Sequence, residues 1–352
     1  MLLLAALALA GAHPFYRGAD LSYVNEMEDC GAVYRMHGKP ADPFALLAGA
    51  GGNLVRVRVW NRATWTRYSN IPDVEKTIRR ARAQHMQVLL DFHYSDDWAD
   101  GDTQKAPAAW AGLGTAAQAR ALYAYTRRTL AALDAKALMP ELVQVGNETN
   151  PALLGGTKDR TIDWRRNALL LNAGIRAVRD AARASGKRVR IMLHIAQPEN
   201  VEPWFDAATR AGVRGYDLIG ISYYKKWSTR SMAELGETIR RAHAKYEADV
   251  VVVETAYPFT LDGEDTSPNL LGADSLIPGY PATPEGQRRY LADITRTVSA
   301  SGGSGVVWWE PAWISTRCTT RWGHGSNWEN AAWFDLRTHE VLPVFEALRA
   351  GR

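Results

Sequence analysis

Asn53-Leu54-Val55-Arg56-Val57-Arg58-Val59-Trp60 is a short β-rich run, and an Ala/Arg-rich helical pattern follows it over residues 72–84 before a second apolar run begins at Gln87. A strand, a helix and another strand in that order make a unit that pairs its strands in parallel. The unit recurs in both directions along the chain. Strands are expected over residues 17–23, 53–60, 87–93, 141–147, 188–195, 217–223, 249–254 and 305–310. Helices are expected over 43–50, 72–84, 116–133, 164–184, 201–211, 231–246 and 284–300, several with proline or an acidic residue in the first turn, where helix N-termini prefer them. Eight such units predict a closed α/β (β/α)8 TIM barrel with one core and one domain, spanning residues 13–352.

Composition agrees and narrows the function classes. The chain has 352 residues, 46% hydrophobic and 23% charged, which is ample for a core and excludes disorder as the main state. The net charge of +4 is spread along the chain, so no nucleic-acid partner is expected. Residues 2–10 form an apolar run too short to span a bilayer, and Ala10-Gly11-Ala12 reads as a cleavage signal. Residues 1–12 are therefore expected to be a signal peptide, although no Lys or Arg precedes the apolar run. A secreted or periplasmic monomer with no membrane anchor is the expectation. The two cysteines, Cys30 and Cys318, follow the first and last strands, which a closed barrel makes neighbours, so a bridge between them is expected over two free thiols.

A barrel keeps its chemistry at the C-terminal ends of its strands. Polar and aromatic groups gather there: Trp60 after the second strand, Asp91-Phe92-His93-Tyr94 at the third, Asn147-Glu148 after the fourth, His194 at the fifth, Tyr223 at the sixth, Glu254 at the seventh and Trp308-Trp309-Glu310 at the eighth. Glu148 and Glu254 end apolar runs on strands across the barrel mouth from each other. Two carboxyls facing over a cleft are what glycoside hydrolysis requires, one as acid and the other as nucleophile or base. The competing reading is a pair of ordinary ion-pairing glutamates. His93 and His194 could instead be metal ligands, but no carboxylate set completes such a site, and no metal is assigned. Thirteen tryptophans suit a sugar-binding groove. Trp60, Trp98, Trp227, Trp308, Trp309 and Trp313 fall at strand ends, where about half should instead seal the barrel. Trp308 and Trp309 alternate in direction, so at most one faces the site.

The ordered segments Gly18-Ala19-Asp20-Leu21-Ser22, Val55-Arg56-Val57-Arg58-Val59-Trp60-Asn61, Asp91-Phe92-His93-Tyr94-Ser95-Asp96, Val143-Gln144-Val145-Gly146-Asn147-Glu148, Gly220-Ile221-Ser222-Tyr223-Tyr224, Val253-Glu254-Thr255-Ala256-Tyr257-Pro258 and Trp309-Glu310-Pro311-Ala312-Trp313-Ile314, with Trp328-Glu329-Asn330, resemble the family 53 glycoside hydrolases, the endo-β-1,4-galactanases that act on arabinogalactan. They cover about residues 17–340. The resemblance implies a retaining endo-glycosidase acting on galactan, with Glu148 as acid/base, Glu254 as nucleophile and Asn147 on the sugar 2-hydroxyl. Arg56 or Arg58 would hold the nucleophile ionised, and Tyr223 would keep it in place. Asp20, Trp60, His93, His194, Trp308 and Trp309 complete the expected substrate-binding set. No cofactor is required. Asp262, Glu264 and Asp265 lie in the loop where some relatives hold structural calcium, and a solvated acidic turn is the other reading. Three other functions stand beside this one: the same chemistry on another β-1,4-glycan, a non-catalytic glycan-binding barrel, and a metal-dependent hydrolase.

Overall fold

The computed structural model describes residues 14–157 and 161–349. Eight strands close into one parallel barrel: β1 (Tyr16–Asp20), β2 (Leu54–Val59), β3 (Gln87–Phe92), β4 (Leu142–Val145), β5 (Arg190–Ala196), β6 (Leu218–Ser222), β7 (Asp249–Thr255) and β8 (Gly305–Trp308). Each pairs with the next in the chain, and β8 returns to β1. The helices that carry the chain back are α1 (Val24–Asp29), α2 (Pro43–Gly49), α3 (Ile71–Ala83), α4 (Thr115–Asp134), α5 (Trp164–Ser185), α6 (Pro198–Arg210), α7 (Met232–Tyr246) and α8 (Pro284–Ala300), and a short α9 (Val344–Ala347) packs on α8. Their starts are set locally. Asp42, Asn70 and Thr283 accept backbone N–H groups of the first turn, and Ser231 with Glu234 forms a reciprocal capping box.

Strand periodicity sorts the barrel interior into two levels. Tyr16, Leu54, Leu89, Leu142, Met192, Leu218, Val251, Val253 and Val307 form an apolar plug. Two residues further along four of the strands the inward position turns polar: Arg56 above Leu54, Asp91 above Leu89, Gln144 above Leu142, His194 above Met192. The alternate residues Val55, Val57, Val88, Leu90, Ile191 and Leu193 pack outward against the helices. Gly220 is the inward residue between Leu218 and Ser222, and a Cβ there would stand 2.7 Å from the Met192 sulfur and 2.9 Å from Val253. The interior closes only around a residue without one.

Three features depart from the sequence expectation. The first strand ends at Asp20 rather than residue 23 because the Asp20 carboxylate accepts both the N–H and the Oγ–H of Ser22, turning the chain into α1. The fourth strand stops at Val145, where Gly146 takes a φ of +85°. The third lies in β7. Its register against β6 runs Ile221 to Val252 and then Ser222 to Glu254, one residue extra. Strict alternation would send Glu254 outward with Val250 and Val252; the bulge turns it into the barrel.

Cys30 and Cys318 are bridged with their Cα atoms 5.6 Å apart, joining the loops that follow the neighbouring β1 and β8 as expected. Among the described residues no helix is long and apolar enough to cross a membrane. The expected signal peptide at residues 1–12 lies outside the described residues.

Candidate active site

A cleft of about 810 Å³ opens at the C-terminal end of the strands, with Glu148 and Glu254 on its wall. Glu148 follows the Gly146 kink in a left-handed conformation (φ +43°). Gln104 donates to the Asn147 carbonyl at 2.7 Å and pins that turn. The carboxyl is held at both oxygens: Oε1 accepts the Ser222 hydroxyl at 2.5 Å and Oε2 accepts the Gly101 N–H at 2.9 Å. Glu254 is held by a cation and a phenol, Arg56 Nη1 at 2.7 Å and the Tyr224 hydroxyl at 3.2 Å. The two glutamates bring oxygens within 4.8 Å of each other.

Arg56 is the hub beneath them. Its Nη1 also reaches Asp20 at 3.0 Å, and its Nη2 donates to Asp91 at 2.8 Å and to Asn147 Oδ1 at 2.7 Å. Three carboxylates around one buried guanidinium keep it firmly protonated, against burial that alone would lower its pKa. In return, although burial pushes Asp91 up, Arg56 and His93 bring it below the ordinary carboxylate value. The two glutamates titrate differently. Burial raises Glu148. Burial also pushes Glu254 up to about 8; Arg56 opposes this and the charge of Glu148 adds to it. Two carboxyls this close hold one proton between them near neutrality. The fixed cation contacts Glu254, so the negative charge settles there and the proton on Glu148.

The two arginines left open by the sequence are thus separated. Arg56 pairs with Glu254. Arg58 also points inward, but its Nη1 pairs with Glu310 at 2.6 Å and its guanidinium lies 4.2 Å from the Tyr23 ring and 4.7 Å from Trp98. It lines the cleft, as do Asp20, His93, Asn147 and Trp309. His93 bonds Asp91 through Nε2 at 3.1 Å and accepts Trp60 Nε1–H at Nδ1. Asn147 donates one N–H to the Ala99 carbonyl at 2.8 Å, which leaves its second for a sugar hydroxyl.

Four expected substrate contacts are corrected. Tyr223 points outward, and its hydroxyl donates to the Arg230 carbonyl; Tyr224, one residue later and on the inward parity, holds Glu254. Trp308 is fully buried, donating to the Ala331 carbonyl, and Trp309 faces the cleft. Trp60 is buried among Trp65, His93 and Trp98 and lies behind the cleft wall. His194 lies beneath the site, fully buried, with both ring nitrogens hydrogen-bonded to protein.

The other residues that matter here include Ser222, Tyr224, Gln144, Trp322 and Trp328, to none of which the sequence reading gave a role of its own. Parity along Gly220-Ile221-Ser222-Tyr223-Tyr224 carries a signal for the first two. Nothing local marks the tryptophans of the β8 loop. With them, five indoles run across the cleft in ring contact: Trp322, Trp98, Trp309, Trp328 and Trp227, with successive centroids 5.9, 6.4, 4.4 and 6.3 Å apart. The two end members are 37% and 45% exposed.

Among the described residues, the one group of three or more His, Cys, Asp or Glu side chains close enough to share a metal ion is Glu148, His194 and Glu254. Both His194 nitrogens and all four carboxylate oxygens have protein partners, with the Arg56 cation directly on Glu254. In the acidic loop after β7, Glu264 pairs with Arg337, Asp265 accepts the N–H groups of Ser267 and Ser326, and Asp262 is exposed.

Residues 16–348 match the model of glycosyl hydrolase family 53. The chain belongs to that family. It is 51% identical to an arabinogalactan endo-beta-1,4-galactanase of Cellvibrio japonicus, over 99% of this chain and 95% of that protein. It is 33% identical to an endo-beta-1,4-galactanase of Bacillus subtilis, over 96% of this chain and 86% of the relative. The family 53 catalytic domain of Ignisphaera aggregans superposes with a TM-score of 0.86 at 30% identity, over 95% of both chains. As a family 53 member the protein is a glycoside hydrolase, and its TIM barrel is the fold of its solved relatives.

Proposed function

We propose that this family 53 enzyme hydrolyses internal β-1,4-galactosidic bonds of galactan and arabinogalactan with retention at the anomeric carbon. One observation carries the mechanism: catalytic carboxyl oxygens within 4.8 Å. Retaining enzymes set the two groups about 5–5.5 Å apart, whereas inverting enzymes leave about 6.5–9.5 Å for a water between them. Glu254, ionised beside Arg56, attacks the anomeric carbon while Glu148 gives its proton to the departing glycosidic oxygen. Glu148 then takes a proton from water, whose oxygen displaces Glu254 from the anomeric carbon. Each carboxyl ends as it began.

The indole run supports internal cleavage, since a row of flat rings with exposed members at both ends suits successive sugars of a polymer. The relatives' activity supports galactan as that polymer. Reducing-end release from linear β-1,4-galactan, run beside mannan, cellulose and xylan, tests the substrate. Release from galactan alone, lost in Glu254→Ala, is expected; release from another glycan instead overturns it. Proton NMR of the first product gives the anomer, and an α-anomer overturns retention.

The enzyme acts outside the cytoplasm as a monomer in this reading, supported by the apolar N-terminal run and the Cys30–Cys318 bridge. Sedimentation and cell fractionation check both. Structural calcium finds little support in the β7 loop, where Glu264 is taken by Arg337 and Asp265 by backbone N–H groups. A thermal melt with and without chelator decides it.

A further inference from the structure

Glu148 is joined to a buried chain of polar groups in which Ser222 and His194 do not line the cleft. Ser222 Oγ lies 2.5 Å from Glu148 Oε1 and 2.8 Å from His194 Nε2. His194 Nδ1 lies 3.3 Å from the backbone N–H of Glu148 itself, 3.0 Å from Gln144 Nε2 and 2.9 Å from Asn147 Oδ1. Ser222 and His194 are fully buried.

Counting donors settles the protons. The Glu148 N–H can only donate, and the Gln144 Nε2 amide donates to Asp91 and faces His194 with its remaining hydrogen. Asn147 Oδ1 is already supplied by Arg56. Nδ1 is therefore an acceptor, and the neutral ring carries its hydrogen on Nε2. Burial and the Arg56 charge keep His194 neutral, well below the usual histidine range. Nε2–H then donates to Ser222 Oγ, and the only acceptor left for the Ser222 hydrogen is Glu148 Oε1.

We propose that Ser222, with its hydroxyl direction set by His194, is a positioning residue for the acid/base. The Ser222 hydroxyl is held on Oε1, and Oε2, which accepts the Gly101 N–H with one lone pair, carries the catalytic proton on the other. When Glu148 gives that proton to the glycosidic oxygen, the charge that appears on its carboxylate is met by an O–H already aimed at it. No proton passes through His194. The donor is fixed before the reaction, so no reorganisation is needed as charge develops. It also offsets part of the burial that raises Glu148, keeping the group able to lose its proton in the first step and regain one from water in the second. The other charged or titratable groups facing Glu148 are Glu254, Arg56 and Asp100, with Tyr224 bridging from Glu254, and the Gly101 N–H completes its surroundings. This role rests on the acid/base assignment of Glu148.

The test is Ser222→Ala beside Ser222→Thr, on the full chain. In the alanine variant the carboxylate loses a charge-assisted donor, so the alkaline limb of the kcat pH profile moves up by about one pH unit. On galactan, kcat falls roughly 10- to 100-fold while KM stays within about twofold, because Ser222 touches no sugar. Ser222→Thr, which keeps the hydroxyl, restores the pH limb and most of kcat. In parallel, carboxyl-labelled Glu148 is titrated by carbon-13 NMR in the wild type and in Ser222→Ala, without substrate. An unmoved Glu148 titration in the alanine variant overturns the proposal, as does a threonine variant that behaves like alanine despite a native melt. A wild type inactive on galactan would instead remove the substrate assignment, and the NMR arm would still report on Ser222.

Discussion

Arg56 and Arg58 stand two residues apart on one strand, both buried and both aimed into the barrel, yet they organise different halves of the cleft. Arg56 sits among Asp20, Asp91 and Glu254, so its charge is shared by three carboxylates, one of them the proposed nucleophile. Arg58 has one carboxylate partner, Glu310, and its remaining surroundings are the rings of Tyr23, Trp60 and Trp98. The first half is a network of charges that the reaction uses. The second is a wall, in which an ion pair and indoles give the cleft its shape. The difference shows that residue type and strand parity place a side chain in the barrel, while the partners contributed by other strands decide what it does there.

The contrast breaks first at the carboxylates. Glu254→Ala should reduce kcat on galactan by about 10⁴-fold or more, whereas Glu310→Gln should stay within roughly 10-fold of wild type. Equal losses in the two variants would dissolve the distinction.

Stability gives the next effect. Arg56→Met strands three buried carboxylates and should cost about 3–5 kcal/mol in denaturant titration. Arg58→Met strands only Glu310, which burial already raises well above the ordinary value and which can go neutral by taking a proton. About 1–2 kcal/mol is expected there, partly restored by adding Glu310→Gln. A cycle in which Glu310→Gln restores nothing would show that Arg58 stabilises through its ring contacts instead.

The aromatic wall should act on binding rather than on chemistry. Trp322→Ala and Trp227→Ala are expected to raise KM for long galactan about 10-fold each and to change kcat little. Losses confined to kcat would place the sugars elsewhere.

A smaller effect is the pH dependence of melting. Burial raises both members of the Glu148–Glu254 pair, the second from 4.5 to about 8, so the folded pair holds a proton between those values that the unfolded chain has released. The stability linked to that proton is fully present below about pH 4.5 and is lost as pH rises through about 8. The wild-type melting temperature should fall from pH 5 to pH 8 by roughly a few degrees, and Glu254→Gln should flatten that fall in calorimetry. Chelator is expected to leave turnover unchanged, since the proposed mechanism uses only the two carboxyls; a lost rate would reopen a metal-dependent route.

Much of this was legible in one dimension. Alternating β-rich runs and helical stretches, eight times over, sufficed for the barrel, because each unit carries its own periodicity and its own helix start. Glu148 and Glu254 could be picked out because each terminates an apolar run. The cysteine bridge followed from which strands a closed barrel makes neighbours. What needed the tertiary structure was direction and company. Tyr224 takes the place expected for Tyr223 because the inward set of β6 counts from Gly220. Trp60 and His194 sit behind the sugar-facing surface, a depth that their positions at strand ends do not encode. Glu254 faces inward only through a bulge that β7 adopts against its neighbours. The division is physical. Periodicity, capping and apolar runs are local and are written in the chain, whereas the partner of a buried charge and the face of a ring at the barrel mouth are set by strands far apart in sequence that meet only when the barrel closes.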